Sequence, residues 1–101
     1  TPETGFDCSG YVCWVYNQNG YDVGRTTANG LWQKSQHISE AEAKPGDLVF
    51  FEGTYDTVGK SHVGIYLGNG MMVSAGDPIK YANIHSSYWQ KYLSGFGRLS
   101  K

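Results

Sequence analysis

Apolar and polar positions change period once along this chain. From Cys8 to about Asn19 the stretch CSGYVCWVYNQN sets Val12, Cys13, Val15 and Tyr16 at helical spacing, and Asn19-Gly20 supplies a stop. Thr26 or Thr27 can cap a second, shorter helix running through Leu31, Trp32 and Ser35. Ile38 to Lys44 reads as irregular, and Pro45-Gly46-Asp47 as a turn. Beyond that turn the period becomes two. Leu48-Val49-Phe50-Phe51 predicts an almost wholly apolar strand, and Glu52 to Ser61 a polar, Gly-containing loop. Val63, Ile65 and Leu67 alternate with His62, Gly64 and Tyr66, which predicts a strand with the first set buried. Gly68-Asn69-Gly70 signals a hairpin into Met71–Ala75, and Gly76-Asp77-Pro78 a further turn. Ile79–Ile84 and Phe96–Leu99 read as strands, with Ser87–Tyr92 a turn or short helix between them. Helices come first and strands later, without β-α alternation. That order predicts an α+β fold with an antiparallel sheet. There is no internal repeat and no low-complexity linker.

Composition narrows the function classes. The chain has 101 residues, enough for one compact domain (1–101) and not two. Hydrophobic residues make up 40% and aromatics 15%, which suits a packed core rather than disorder. Eight Tyr and three Trp combine apolar bulk with a polar edge, so part of this set can line a groove while the rest fills the core. Net charge is −1 without a run of one sign, which argues against a nucleic-acid surface. No apolar stretch is long enough to span a membrane. Beginning at Thr1-Pro2, the chain reads as a mature domain or a piece of a longer protein.

The candidate chemistry starts with two thiols. On one helix Cys8 and Cys13 are separated by roughly 140° around the axis, so their side chains diverge and a disulfide is not expected. No C-x-x-C occurs and the three His are scattered, so no metal site is expected, and nothing points to a cofactor. Cys8 opens the first helix, where unpaired backbone N–H groups and the helix dipole favour a thiolate. The same N–H groups can receive the oxyanion of a tetrahedral intermediate. A buried structural Cys fits that position equally well. Cys13, on the apolar face, reads as structural.

His62 opens its strand after the polar loop and shares a face with Gly64 and Tyr66. Gly64 leaves room for another backbone to approach. If that backbone is the start of the first helix, Cys8 and His62 meet, and such a pair activates the thiol by ion-pair formation and returns the proton to the leaving amine. A lone strand His is also commonly structural. His37 and His85 lie in polar segments and are expected to be exposed. Two hairpin registers are possible. A three-residue loop pairs Leu67 with Met71 and Gly64 with Ser74, which sets Ser74 diagonal to His62 on one face. A two-residue Asn69-Gly70 turn opposes Ser74 to Ile65 instead, on the wrong face. The first agrees better with the alternation and makes Ser74 a candidate to orient His62.

Four segments, in this order, resemble the NlpC/P60 family of bacterial cell-wall cysteine peptidases: Gly5-Phe6-Asp7-Cys8-Ser9-Gly10, Arg25-Thr26-Thr27, Lys44-Pro45-Gly46-Asp47-Leu48-Val49-Phe50-Phe51, and Ser61-His62-Val63-Gly64-Ile65-Tyr66-Leu67-Gly68-Asn69-Gly70. The resemblance implies a permuted papain-like fold, with a Cys-bearing N-terminal helix packed on an antiparallel sheet that carries the His. It implies hydrolysis of peptidoglycan stem peptides, often between D-glutamyl and a diamino acid. It also implies action outside the cell at the wall, and further wall-lytic or wall-binding domains in the same protein. Carried over by position, Cys8 and His62 are catalytic, and Asp7, Ser9, Arg25 and Ser61 are candidates for the oxyanion or substrate-binding surroundings. Two departures stand out. The family's third catalytic position is usually His, Asn or Gln, and here it is Ser74, whose hydroxyl is shorter and can need a bridging water. The family's upstream Trp/Tyr-Gly-Gly segment, with its oxyanion Tyr, would lie before Thr1. Two other functions fit the same residues: an amidase or acyltransferase on the same thiol, and a wall-binding module with a decayed site.

Overall fold

The computed structural model describes residues 8–53, 59–74 and 80–100, with the backbone alone at Cys8 and Lys80. Asp7, the 54–58 part of the polar loop and the Gly76-Asp77-Pro78 turn lie outside the described residues. Helix α1 (Cys8–Gln18) and helix α2 (Ala28–Lys34) come first. Strands β1 (Gln36–Ile38), β2 (Leu48–Glu52), β3 (Lys60–Gly68), β4 (Met71–Ser74) and β5 (Lys80–Asn83) follow, then helix α3 (Ser87–Tyr92) and strand β6 (Leu93–Arg98). The expected α+β architecture is present, as one six-stranded antiparallel sheet in the order β1-β6-β2-β3-β4-β5.

Local chemistry accounts for most of these elements. Thr27 caps α2, its hydroxyl accepting from Gly30 N at 3.0 Å. The stretch after α2 is more ordered than its polarity suggests. Gln36–Ile38 forms an edge strand, and Glu40–Glu42 forms a 3₁₀ turn closed by a capping box between Ser39 and Glu42. Asp47, buried in the Pro-Gly-Asp turn, accepts from Lys44 N and takes both arms of Arg98, at 3.0 and 2.8 Å. Burial raises its pKa, but these donors outweigh burial and hold it below the ordinary carboxylate range.

Both faces of the sheet are covered. Val12, Cys13 and Tyr16 of α1 and Leu31 of α2 pack on Leu48, Phe50, Val63, Ile65 and Val73. Trp89 and Tyr92 of α3 pack on the opposite face, over Val49, Phe51, Tyr66, Met72 and Phe96. The strands therefore read as apolar runs where an open-faced sheet would alternate. This corrects the expectation that His62, Gly64 and Tyr66 lie on a less buried face: Tyr66 is buried, whereas Leu67 is 38% exposed.

The β3–β4 hairpin explains Leu67. Gly68 pairs with Met71 around a two-residue Asn69-Gly70 turn, with φ of +54° and +79°, the left-handed pair that such hairpins require. That is the turn the alternation argument disfavours. An irregularity at Leu67 then restores the other register, so that Tyr66 pairs with Met72 and Ile65 with Val73. Continued by one step, this brings Ser74 opposite Gly64.

Candidate active site

Cys8 is the first residue of α1, and α1 packs on β3 and β4. The side chain of Cys8 is not among those described. Its backbone position is the one from which first-turn N–H groups point outward. Cys13 lies in the core at 1% exposure with a free thiol directed at Thr26 O, 3.8 Å away. It has the structural place its sequence position predicts.

His62 lies on the sheet face that α3 covers. Its ring centroid is 5.7 Å from that of Phe51, its partner on β2, and 5.0 Å from that of Trp89. Burial between them lowers its pKa from 6.5 to about 4, so at neutral pH the imidazole is neutral. Among the described residues, Nε2 of His62 is a buried polar atom without a hydrogen-bond partner. A buried polar atom in that state is uncommon in folded proteins, and a catalytic role is one of the reasons such a group is kept.

Ser74 is buried at 5% exposure, and its register sets it diagonal to His62. It does not hydrogen-bond Nε2 directly, because the hydroxyl is too short to span the diagonal separation of about 7–8 Å at the backbone. Gly64 also differs from expectation. A Cβ there would stand 2.6 Å from the sulfur of Met72, so the missing side chain makes room for β4 and not for the start of α1.

The four outlying candidates separate into groups. Ser9 and Arg25 are together, with Arg25 Nη1 donating to Ser9 Oγ at 3.4 Å and to Thr26 O at 2.7 Å. This ties the second segment to the first turn of α1. Ser61 is buried between Lys60 and His62, and its hydroxyl donates to Phe51 O at 3.4 Å. Asp7 lies outside the described residues. His37 and His85 are exposed as expected: His37 stacks on Trp32, and His85 pairs with Glu40 at 2.6 Å. Trp89 was not a candidate from sequence. Only the docking of α3 brings it over a residue so far back in the chain. No cluster of His, Cys, Asp or Glu among the described residues could hold a metal. No helix among them is long and apolar enough to cross a membrane.

Residues 1–98 match the NlpC/P60 family. The chain is 53% identical over 97 residues to the probable endopeptidase p60 of Listeria monocytogenes, covering 95% of this chain and 19% of that protein. It is 48% identical over 99 residues to the bifunctional muramidase/DL-endopeptidase CwlT of Bacillus subtilis, covering 97% of this chain and 30% of that protein. The crystal structure of an NLP/P60-family protein, similar to lipoprotein, from Staphylococcus aureus superposes with a TM-score of 0.94 at 42% identity, over 100% of this chain and 34% of that one. The chain thus spans less than a third of the length of these two curated relatives. A first helix that begins at Cys8, packed on an antiparallel sheet carrying His62, agrees with these likenesses, and the chain belongs to the NlpC/P60 family.

Proposed function

We propose that this domain is a cysteine peptidase that hydrolyses peptidoglycan stem peptides, with Cys8 as nucleophile, His62 as base and Ser74 as the group that orients His62. The observation that carries this reading is the buried Nε2 of His62, which has no hydrogen-bond partner among the described residues and stands on strand β3, whose other face packs against the Cys8 helix. With its ring neutral at neutral pH, His62 is able to accept a proton. It takes the thiol proton as sulfur attacks the scissile carbonyl. The tetrahedral oxyanion is received by N–H groups of the first turn of α1. The imidazolium then returns the proton to the leaving amine, the C–N bond breaks, and an acyl-thioester remains. Water, deprotonated by His62, hydrolyses the thioester and restores the thiol. In this reading Ser9, Arg25 and Ser61 belong to the surroundings of the site, and Asp7 joins them by its place in the motif next to Cys8.

The name DL-endopeptidase, carried by one of the relatives, supports a reading in which the bond lies between D-glutamyl and a diamino acid, and a stem-peptide substrate implies action outside the cell at the wall. The length of those relatives supports further wall-binding or wall-lytic domains beside this one. The test is digestion of purified peptidoglycan followed by mass spectrometry of the new termini. A new N-terminal diamino acid paired with a C-terminal D-glutamyl residue is expected. An amidase would instead release stems from the glycan, and a decayed wall-binding module would release nothing.

Ser74 has its own expected result. In this reading its hydroxyl accepts, directly or through a water, from one imidazole nitrogen and fixes the tautomer that presents the other to the thiol. Ser74→Ala should lower kcat by about ten- to a hundredfold, the scale of one lost orienting hydrogen bond. Ser74→Asn or Ser74→His should retain or raise activity by shortening that path. An unchanged kcat in Ser74→Ala would remove Ser74 from the mechanism.

A further inference from the structure

We propose that Lys60 is a positioning residue for His62, its ammonium tying Glu52, Ser94 and Trp32 into a clamp that pins two facing bulges and so sets the sheet face on which His62 stands. The inference rests on the reading of His62 as the base.

Strand β2 lies between β3 and β6, and both pairings slip by one residue at the same level. On the β3 side Phe51 pairs with His62 but Glu52 pairs with Lys60, which leaves Ser61 as the extra residue. On the β6 side Phe50 pairs with Gly95 but Phe51 pairs with Leu93, which leaves Ser94 as the extra residue. Side chains alternate along a strand, so a slip of one residue turns every side chain beyond it to the other face. The bulge at Ser61 immediately precedes His62. It lets Lys60 point toward α2 while His62 points toward Phe51 and Trp89.

Lys60 reaches all the parts of this arrangement. Its Nζ is 3.1 Å from Glu52 Oε1, 2.7 Å from Ser94 Oγ and 4.3 Å from the centre of the Trp32 ring. Its backbone N–H donates to Asn29 Oδ1 on α2 at 3.2 Å. Glu52 lies opposite the first bulge, Ser94 is the second bulge, and Trp32 approaches from the helix layer. The lysine side chain is only 11% exposed. A surface ion pair between mobile side chains contributes little, but a lysine whose side chain is mostly covered and whose ammonium meets three distinct partners is held in one geometry. Bulges beside active sites commonly re-aim a side chain. Here the re-aimed side chain is His62.

The test uses Lys60→Met, Lys60→Arg and Glu52→Gln, with three readouts: kcat and KM on a soluble stem peptide, the ¹H–¹⁵N resonances of the His62 ring, and thermal stability. For Lys60→Met we expect kcat to fall about ten- to a hundredfold with KM within about twofold, the scale of a misplacement near 1 Å. The His62 ring resonances should shift and broaden. Lys60→Arg keeps the cation over Trp32 and should recover most of both changes. Glu52 is about half exposed, so Glu52→Gln keeps the fold and should move the same resonances by less. Unmoved His62 resonances in Glu52→Gln and in any folded Lys60→Met would overturn the clamp. So would a Lys60→Arg that behaves as Lys60→Met does. A parent that fails to cleave the peptide overturns the peptidase reading instead, and the ring resonances still judge the clamp.

Discussion

Replacing Cys8 with Ala is expected to abolish stem-peptide hydrolysis, by about three orders of magnitude or more in kcat, while leaving the melting temperature within a few degrees of the parent. The size of the effect follows from the chemistry. Neither water nor the neighbouring Ser9 hydroxyl matches the reactivity of a thiol at the start of α1. The small effect on stability is expected because the change removes only the sulfur, and Ala keeps the backbone, the Cβ and a high helix propensity. Cys13→Ala should behave in the opposite way. It empties space in the core, where Cys13 packs among Val12, Tyr16, Leu31 and Val63, and so lowers stability by about 1 kcal/mol with activity largely retained. The comparison uses peptidoglycan turnover, thermal melts and iodoacetamide labelling, which should proceed quickly near neutral pH at Cys8 and not at Cys13. Full activity in Cys8→Ala would remove the thiol mechanism.

His62→Ala should cost nearly as much activity, because members of one catalytic unit fail together rather than additively. Alkylation of Cys8 should slow with it, and alkylation at the parental rate would mean that another group takes the thiol proton. The same substitution should change acid stability. The folded-state pKa of His62 is about 4 against an ordinary 6.5, so between those values the unfolded chain binds a proton that the folded domain refuses. The contribution of His62 is therefore fully present above pH 6.5, is lost progressively as pH falls to about 4, and changes no further below that. The depressed value corresponds to about 3 kcal/mol over that window. Urea melts of parent and His62→Ala from pH 7 to 4 should differ in slope, with the variant flatter. Parallel slopes would show that the ring is more accessible to water than its packing against Phe51 and Trp89 implies.

Much of the molecule was legible because its signals are local. The helical spacing of Val12, Cys13 and Tyr16 determined α1, and the Thr27 cap determined the start of α2. The Leu48–Phe51 run determined β2, and Gly68-Asn69-Gly70 determined that a hairpin follows β3, though not its two-residue turn. The motif around Cys8 and the segment from Ser61 to Gly70 point to the family by themselves. Long-range packing decided the rest. Strand β1 is short, polar and exposed, and exists because Gln36, His37 and Ile38 find partners in Arg98, Gly97 and Phe96, sixty residues further on. Leu67 is exposed, against its alternation, because the irregularity at that residue reconciles a two-residue turn with the register further along the strand. His62 lies under Trp89 because α3 docks on that face, and its pKa falls for the same reason. Lys60, at the end of a polar loop in the sequence, is clamped because two bulges bring β6 and α2 to it. Periodicity reports which side chains need burial. Which neighbour buries them, and how far that neighbour moves a titrating group, depends on contacts between distant segments, and no local pattern encodes them.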